Sequence, residues 1–107
     1  MAFPTVEFAA SFRGLGHLEG GMPAYSVPWD ISARGAIVVG ESQSANGREA
    51  YRWSADTGMV ALGSLGGADF FSTAWRISTE GLVIAGASRS PSSGTRTEAF
   101  RWTAELG

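Results

Sequence analysis

Ile31-Ser32-Ala33-Arg34-Gly35-Ala36-Ile37-Val38-Val39-Gly40-Glu41-Ser42 returns later in the chain as Ile77-Ser78-Thr79-Glu80-Gly81-Leu82-Val83-Ile84-Ala85-Gly86-Ala87-Ser88. A second stretch, Glu49-Ala50-Tyr51-Arg52-Trp53-Ser54-Ala55, returns as Glu98-Ala99-Phe100-Arg101-Trp102-Thr103-Ala104. The first pair is offset by 46 positions and the second by 49. A period of this size, with short β-type runs inside each unit, points to an array of small sheets such as the blades of a propeller.

Four β segments can be read in each unit. Segment A is Ser26 to Ile31, copied in Ser72 to Ile77. Its alternation predicts Val27, Trp29 and Ile31 on one face. Pro28 has no N–H to give to a ladder, which suits an edge strand. Segment B, Ala36 to Glu41 with its copy Leu82 to Ala87, is a nearly continuous apolar run, so both its faces are expected to be buried. The A–B link ends on Gly35 or Gly81, where a tight turn wants positive φ. Segment C is Glu49 to Ser54, copied in Glu98 to Thr103. The link before it carries Asn46-Gly47, a hairpin signal, in the first unit, and the longer Ser90 to Thr95 in the second.

Segment D, Met59 to Gly63, is matched at the other end of the chain by Phe12-Arg13-Gly14-Leu15-Gly16. The order is therefore D-ABCD-ABC. The expected fold is all-β: two four-stranded antiparallel propeller-like blades, with residues 1–16 as a closing strand, 17–65 as the first blade, and 66–107 as a second blade lacking its own last strand. Two blades cannot close a ring, and rings use about four to eight. Open edges in water are a liability. The expectation is homo-oligomerisation by strand exchange, giving rings of about four, six or eight blades from two, three or four chains. Excision from a longer repeat protein, and a self-sufficient eight-strand sandwich, are the alternatives.

Composition sets further limits. Of 107 residues, 44% are hydrophobic and 17% charged, the balance of a globular chain. A net charge of −2 leaves no electrostatic footprint for nucleic acid or for an anionic membrane. All eight basic residues are arginine, and they are scattered. Cys is absent, so neither disulfides nor thiolate metal sites exist. Met1-Ala2-Phe3-Pro4 does not read as a signal peptide, and the longest apolar run is far too short for membrane insertion as a helix.

The repeats resemble the HAF family of bacterial extracellular repeat proteins. The resemblance is carried by Leu15-Gly16-His17-Leu18-Glu19-Gly20-Gly21, by Asp30-Ile31-Ser32-Ala33-Arg34-Gly35 running into Val38-Val39-Gly40-Glu41-Ser42, and by Glu49-Ala50-Tyr51-Arg52-Trp53. The second copy follows through Leu62 to Gly67, Ile77-Ser78, Gly81, Gly86 to Ser88 and Ala99 to Trp102. It spans residues 12–104. It implies propeller-like modules at the cell surface or outside the cell, and brings no general activity or catalytic set to carry over. The chain departs from it in carrying only two copies and no visible export signal.

No catalytic or metal-binding constellation stands out, and a non-enzymatic role with no cofactor is expected. His17 is the only histidine, and Ser64 replaces it in the second copy. The glycines at 63–67 lack the Lys and following helix of a phosphate loop. Trp29, Ile31, Trp53, Trp75, Ile77 and Trp102 recur and read as packing between blades. Sugar stacking on the tryptophans is the weaker alternative. Antiparallel order brings the D–A and B–C links to one end of each sheet. That loop face would gather Glu19, Tyr25, Asp69, Phe70 and Phe71 with Arg48, Arg89 and Arg96, where a glycan or protein ligand could bind. The competing enzyme reading places Asp30 or Glu41 of several copies around a ring axis. A third reading is a structural fragment with no ligand.

Overall fold

The computed structural model describes residues 10–104. The repeat becomes two antiparallel sheets. The first runs β1 (Ser26–Ile31), β2 (Ile37–Ser44), β3 (Gly47–Ser54) and β4 (Gly58–Gly63), paired in that order. The second holds β5 (Ser72–Ile77), β6 (Val83–Ser88) and β7 (Glu98–Thr103), again in chain order. Among the described residues no fourth strand pairs with β7. Phe12–Gly16, the copy of β4, is not a strand in the isolated chain. Among the described residues the one helical piece is the 3₁₀ turn Ala33–Gly35, and no helix is long and apolar enough to cross a membrane.

The turns follow the residues that demanded them. Gly35 and Gly81 have φ of 70° and 80°. Each donates its N–H to the carbonyl of Ser32 or Ser78, while those serine hydroxyls accept from the N–H of Ile37 or Val83. Pro28 lies on β1, an edge strand, as its missing donor requires. The β2–β3 hairpin is one residue out from the expected turn. Ala45 and Asn46 form it, and Gly47 already pairs with Ser44.

Alternation assigns the two faces of each sheet. On the first, Ile37, Val39 and Ala50 lie on one side, with Val38, Tyr51 and Trp53 on the other. The Val39 side packs against Ala74 and Ile84 of the second sheet, with Leu62, Ile77, Phe100 and Trp102 around them. Burying each large aliphatic side chain there contributes about 1.5–3 kcal/mol. The repeat makes this stacking head-to-tail. The Phe100 side of the second sheet corresponds to the Tyr51 side of the first, and the Ala85 side of the second to the Val39 side of the first.

Segment B is buried on both faces only in the first copy. Val39 is inaccessible, but its counterpart Ala85 is exposed, because nothing covers the second sheet's outer side. The expected common face of segment A also fails. Pro28 pairs with Gly40 and Asp30 with Val39, so Trp29 is the extra residue of a β-bulge. Trp75 is the extra residue between Ala74 and Arg76. A bulge re-aims side chains, and here it separates Trp29 from Ile31. Trp29, Ile31 and Trp75 are 50%, 56% and 51% exposed, so they are not core residues in this chain. Trp53, Ile77 and Trp102 are partly buried against the apolar clusters.

Candidate functional site

The bulges leave two half-exposed tryptophans at the mouth of a cleft of about 590 Å³ between the sheets, lined by Trp29, Glu41, Phe71, Thr73, Trp75 and Arg76. Its floor is a buried carboxylate. Glu41 ends the apolar run of β2, only 7% exposed. An ion there requires partners, and it has four. Its Oε1 accepts from Trp29 Nε1 at 3.2 Å and from Thr73 Oγ1 at 3.0 Å. Its Oε2 accepts from the Tyr25 hydroxyl at 3.4 Å and forms an ion pair with Arg48, whose Nε stands 3.0 Å away. Arg48 Nε also reaches the Tyr25 oxygen at 2.9 Å. Trp29 Nε1 is shared with Thr73 Oγ1 at 3.1 Å. The carboxylate thus ties the first sheet to β5 and fixes the Trp29 indole by its only polar atom. The ring face stays available to a ligand.

Asp30 makes the second tie between the repeats. Its Oδ2 accepts from Ile77 N at 2.8 Å, and its Oδ1 from Ile31 N at 2.9 Å. The bond from Ile77, with a smaller contribution from the Arg76 charge, holds its carboxyl below the ordinary value against a desolvation that pushes the other way.

The expected meeting of the D–A and B–C links is present. Phe71 bridges to Arg48, and the Phe70 side chain lies over the Gly47 backbone. The Arg48 and Arg89 guanidinium carbons stand 5.6 and 5.5 Å from the Phe71 ring centre, within cation–π range. Tyr25, Arg48, Phe71 and Arg89 therefore converge on one cluster, with Phe70 beside it. The Glu19 and Arg96 side chains are exposed; the Glu19 carbonyl accepts from Ala45 N and so ties the D–A link to the β2–β3 hairpin, while Arg96 N donates to Ser93 O within its own turn. Asp69 lines a separate depression with Pro91 and Thr95. Sequence reasoning missed Thr73 and Arg76, and it weighed Glu41 only as an axial catalytic group. A signal for Glu41 existed: a lone charge in an apolar run, opposite an Ala87 that needs no partner.

Among the described residues no three His, Cys, Asp or Glu side chains are grouped to hold a metal ion. No protein-family model, no curated protein and no solved structure matches this chain.

Proposed function

We propose that this chain is a non-enzymatic propeller-type module that assembles with copies of itself and binds an extracellular glycan in the cleft between Trp29 and Trp75. One observation carries the ligand part. An exposed indole on a bulge, with its N–H held by Glu41 and Thr73, is a rigid flat platform beside a second exposed indole. Such rings suit the apolar faces of sugars, and fixing them beforehand reduces the ordering cost of binding. Arg76 on the cleft wall supplies donors for hydroxyl groups. Placement outside the cell rests on the resemblance to HAF repeats.

The enzyme reading is weakened by the same geometry. Glu41 is occupied by three donors and an ion pair, and backbone bonds favour the charged form of Asp30, so neither is poised to move a proton. A glycan array followed by tryptophan-fluorescence titration tests the proposal. Trp29→Ala and Trp75→Ala are each expected to weaken binding roughly tenfold, or about 1.4 kcal/mol. Retention of no glycan, or unchanged affinity in both variants, removes the ligand reading. Turnover of a test glycoside removes the non-enzymatic one.

A further inference from the structure

Leu15 and Gly16, at the end of the Phe12–Gly16 segment, lie against the first sheet as Leu62 and Gly63, at the end of β4, lie against the second. Leu18 N donates to Ser42 Oγ at 2.9 Å, and Leu65 N to Ser88 Oγ at 2.9 Å. Ser26 Oγ donates to Gly16 O at 2.6 Å, and Ser72 Oγ to Gly63 O at 2.6 Å. Leu15 packs on the Tyr51 side, as Leu62 packs beside Phe100. The end of the segment is thus anchored as the end of β4 is, while Phe12 is fully exposed and among the described residues no strand pairs with it. Its own β7 is out of reach, because the first sheet stands between them.

We propose that Phe12–Gly16 completes the sheet β5-β6-β7 of a second copy, in the register Gly16 opposite Ala99, Gly14 opposite Phe100, Arg13 opposite Arg101, and Phe12 opposite Trp102. The inference rests on the self-assembly reading above. The register is that of β4 on β3, where Gly63 faces Ala50, Ala61 faces Tyr51, Val60 faces Arg52 and Met59 faces Trp53.

The exposed positions Glu98 and Ala99 match it group by group. Gly63 N donates to the buried Glu49 and Ala50 N to Ser72 Oγ. Their counterparts Glu98 and Ala99 are exposed at the free edge. Gly16 N and Ser26 Oγ of the second copy supply the missing partners. Met59 packs against the Tyr51–Trp53 cluster. Its equivalent, Phe12, is fully exposed, while a cavity of about 130 Å³ lies open beside Leu62, Leu65, Phe100 and Trp102. Leu65 is 42% exposed there, against 7% for its counterpart Leu18. Behind the new strand, the uncovered Ala85 side of one copy would meet the Tyr51 side of the next, repeating the stacking inside the chain. Such a head-to-tail contact closes into a ring when the rotation divides the circle.

The chain has no cysteine, so cross-linking reports cleanly. Native mass spectrometry of the wild-type chain is expected to give one closed oligomer. The chain carrying Arg13→Cys with Arg101→Cys should oxidise to a covalent ladder ending at that same number of subunits. Ser11→Cys with Arg101→Cys, two positions out of register, should cross-link at least tenfold more slowly. Phe12→Ala, altering a side chain exposed in the single chain, should leave each monomer folded and weaken assembly roughly a hundredfold. An oligomer that cross-links equally in both registers, or is indifferent to Phe12→Ala, overturns the register and leaves self-assembly standing. A wild-type chain that stays monomeric at every concentration overturns both.

Discussion

Replacing Glu41 by alanine is the most direct probe of how the two repeats are joined, because nature has made that change at Ala87. The cost can be apportioned among its partners. Arg48 has a side chain 53% exposed and returns to water, so its ion pair contributes less than about 1 kcal/mol. Tyr25 keeps its contact with Arg48. The loss falls on Thr73, 2% exposed, whose hydroxyl proton has no other acceptor, and on the Trp29 N–H, reduced to one bond. An orphaned buried donor costs about 1–3 kcal/mol, so Glu41→Ala is expected to lower stability by about 2–3 kcal/mol. For a domain of this size that is a fall of roughly 10 °C in Tm. Glu41→Gln keeps one acceptor toward Trp29 and Thr73 and should lose about 1 kcal/mol. Thr73 has Val27 as its counterpart, so Glu41→Ala with Thr73→Val replaces the polar junction by the apolar residue types of the matching positions. That double variant should recover about 1 kcal/mol relative to the sum of the single changes. Urea unfolding of all four chains at one protein concentration measures the cycle. A Glu41→Ala loss below about 0.5 kcal/mol, or strict additivity with Thr73→Val, would refute the assignment of Glu41 as the junction.

Gly40→Ala and Gly86→Ala should each destabilise the fold by about 1–3 kcal/mol, since a methyl group would run into the carbonyl of Val27 or Thr73; chemical denaturation that ranks either as neutral contradicts the sheet geometry. Burial pushes the Tyr51 phenol up to about 12, while it donates to Val27 O at 3.1 Å. Because its folded value lies above the unfolded one, its contribution is complete below about pH 10 and is lost as pH rises toward 12. Ultraviolet titration should show a late phenol that Tyr51→Phe abolishes. Asp30 has the opposite sign: its folded value is lowered, so its contribution is present above the ordinary carboxylate range and disappears as pH falls through the folded value. Asp30→Asn should flatten the acid limb of stability below about pH 4, followed by circular dichroism.

The strands were legible because repetition states each pattern twice. Segments A and C of both copies fall on β1, β5, β3 and β7, with only small differences at the ends. The bulges were not legible. A bulge is one extra residue in a pairing, and alternation within a single strand contains no record of its partner's count. That one residue turned Trp29 and Trp75 from expected packing into exposed rings. The loop cluster was half legible. Antiparallel order brings Tyr25, Phe71, Arg48 and Arg89 to one end, but which loop residues turn inward depends on turn geometry. Hence Glu19, Asp69 and Arg96 stayed apart from it.

Comparing the two copies separates scaffold from site by a physical criterion. Ser42 and Ser88 make the same three bonds, to a leucine N–H, to the carbonyl of Tyr25 or Phe71, and to that of the following residue. Gly40 and Gly86 meet the same backbone obstruction. Identical residues in identical surroundings are what any such sheet needs to stand beside its neighbour. The differences are not spread evenly. Glu41 against Ala87, Thr73 against Val27, and Asp30 against Arg76 all lie along the line where the first sheet meets β5, around the cleft. The matching positions of the other copy hold Ala87 and Val27, which would cost no desolvation. A buried carboxylate with three donors and an ion pair is hard to justify as stabilisation, because apolar packing of the same volume generally does as well. What it does provide is a fixed orientation for an exposed indole, the geometry on which the proposed glycan site rests.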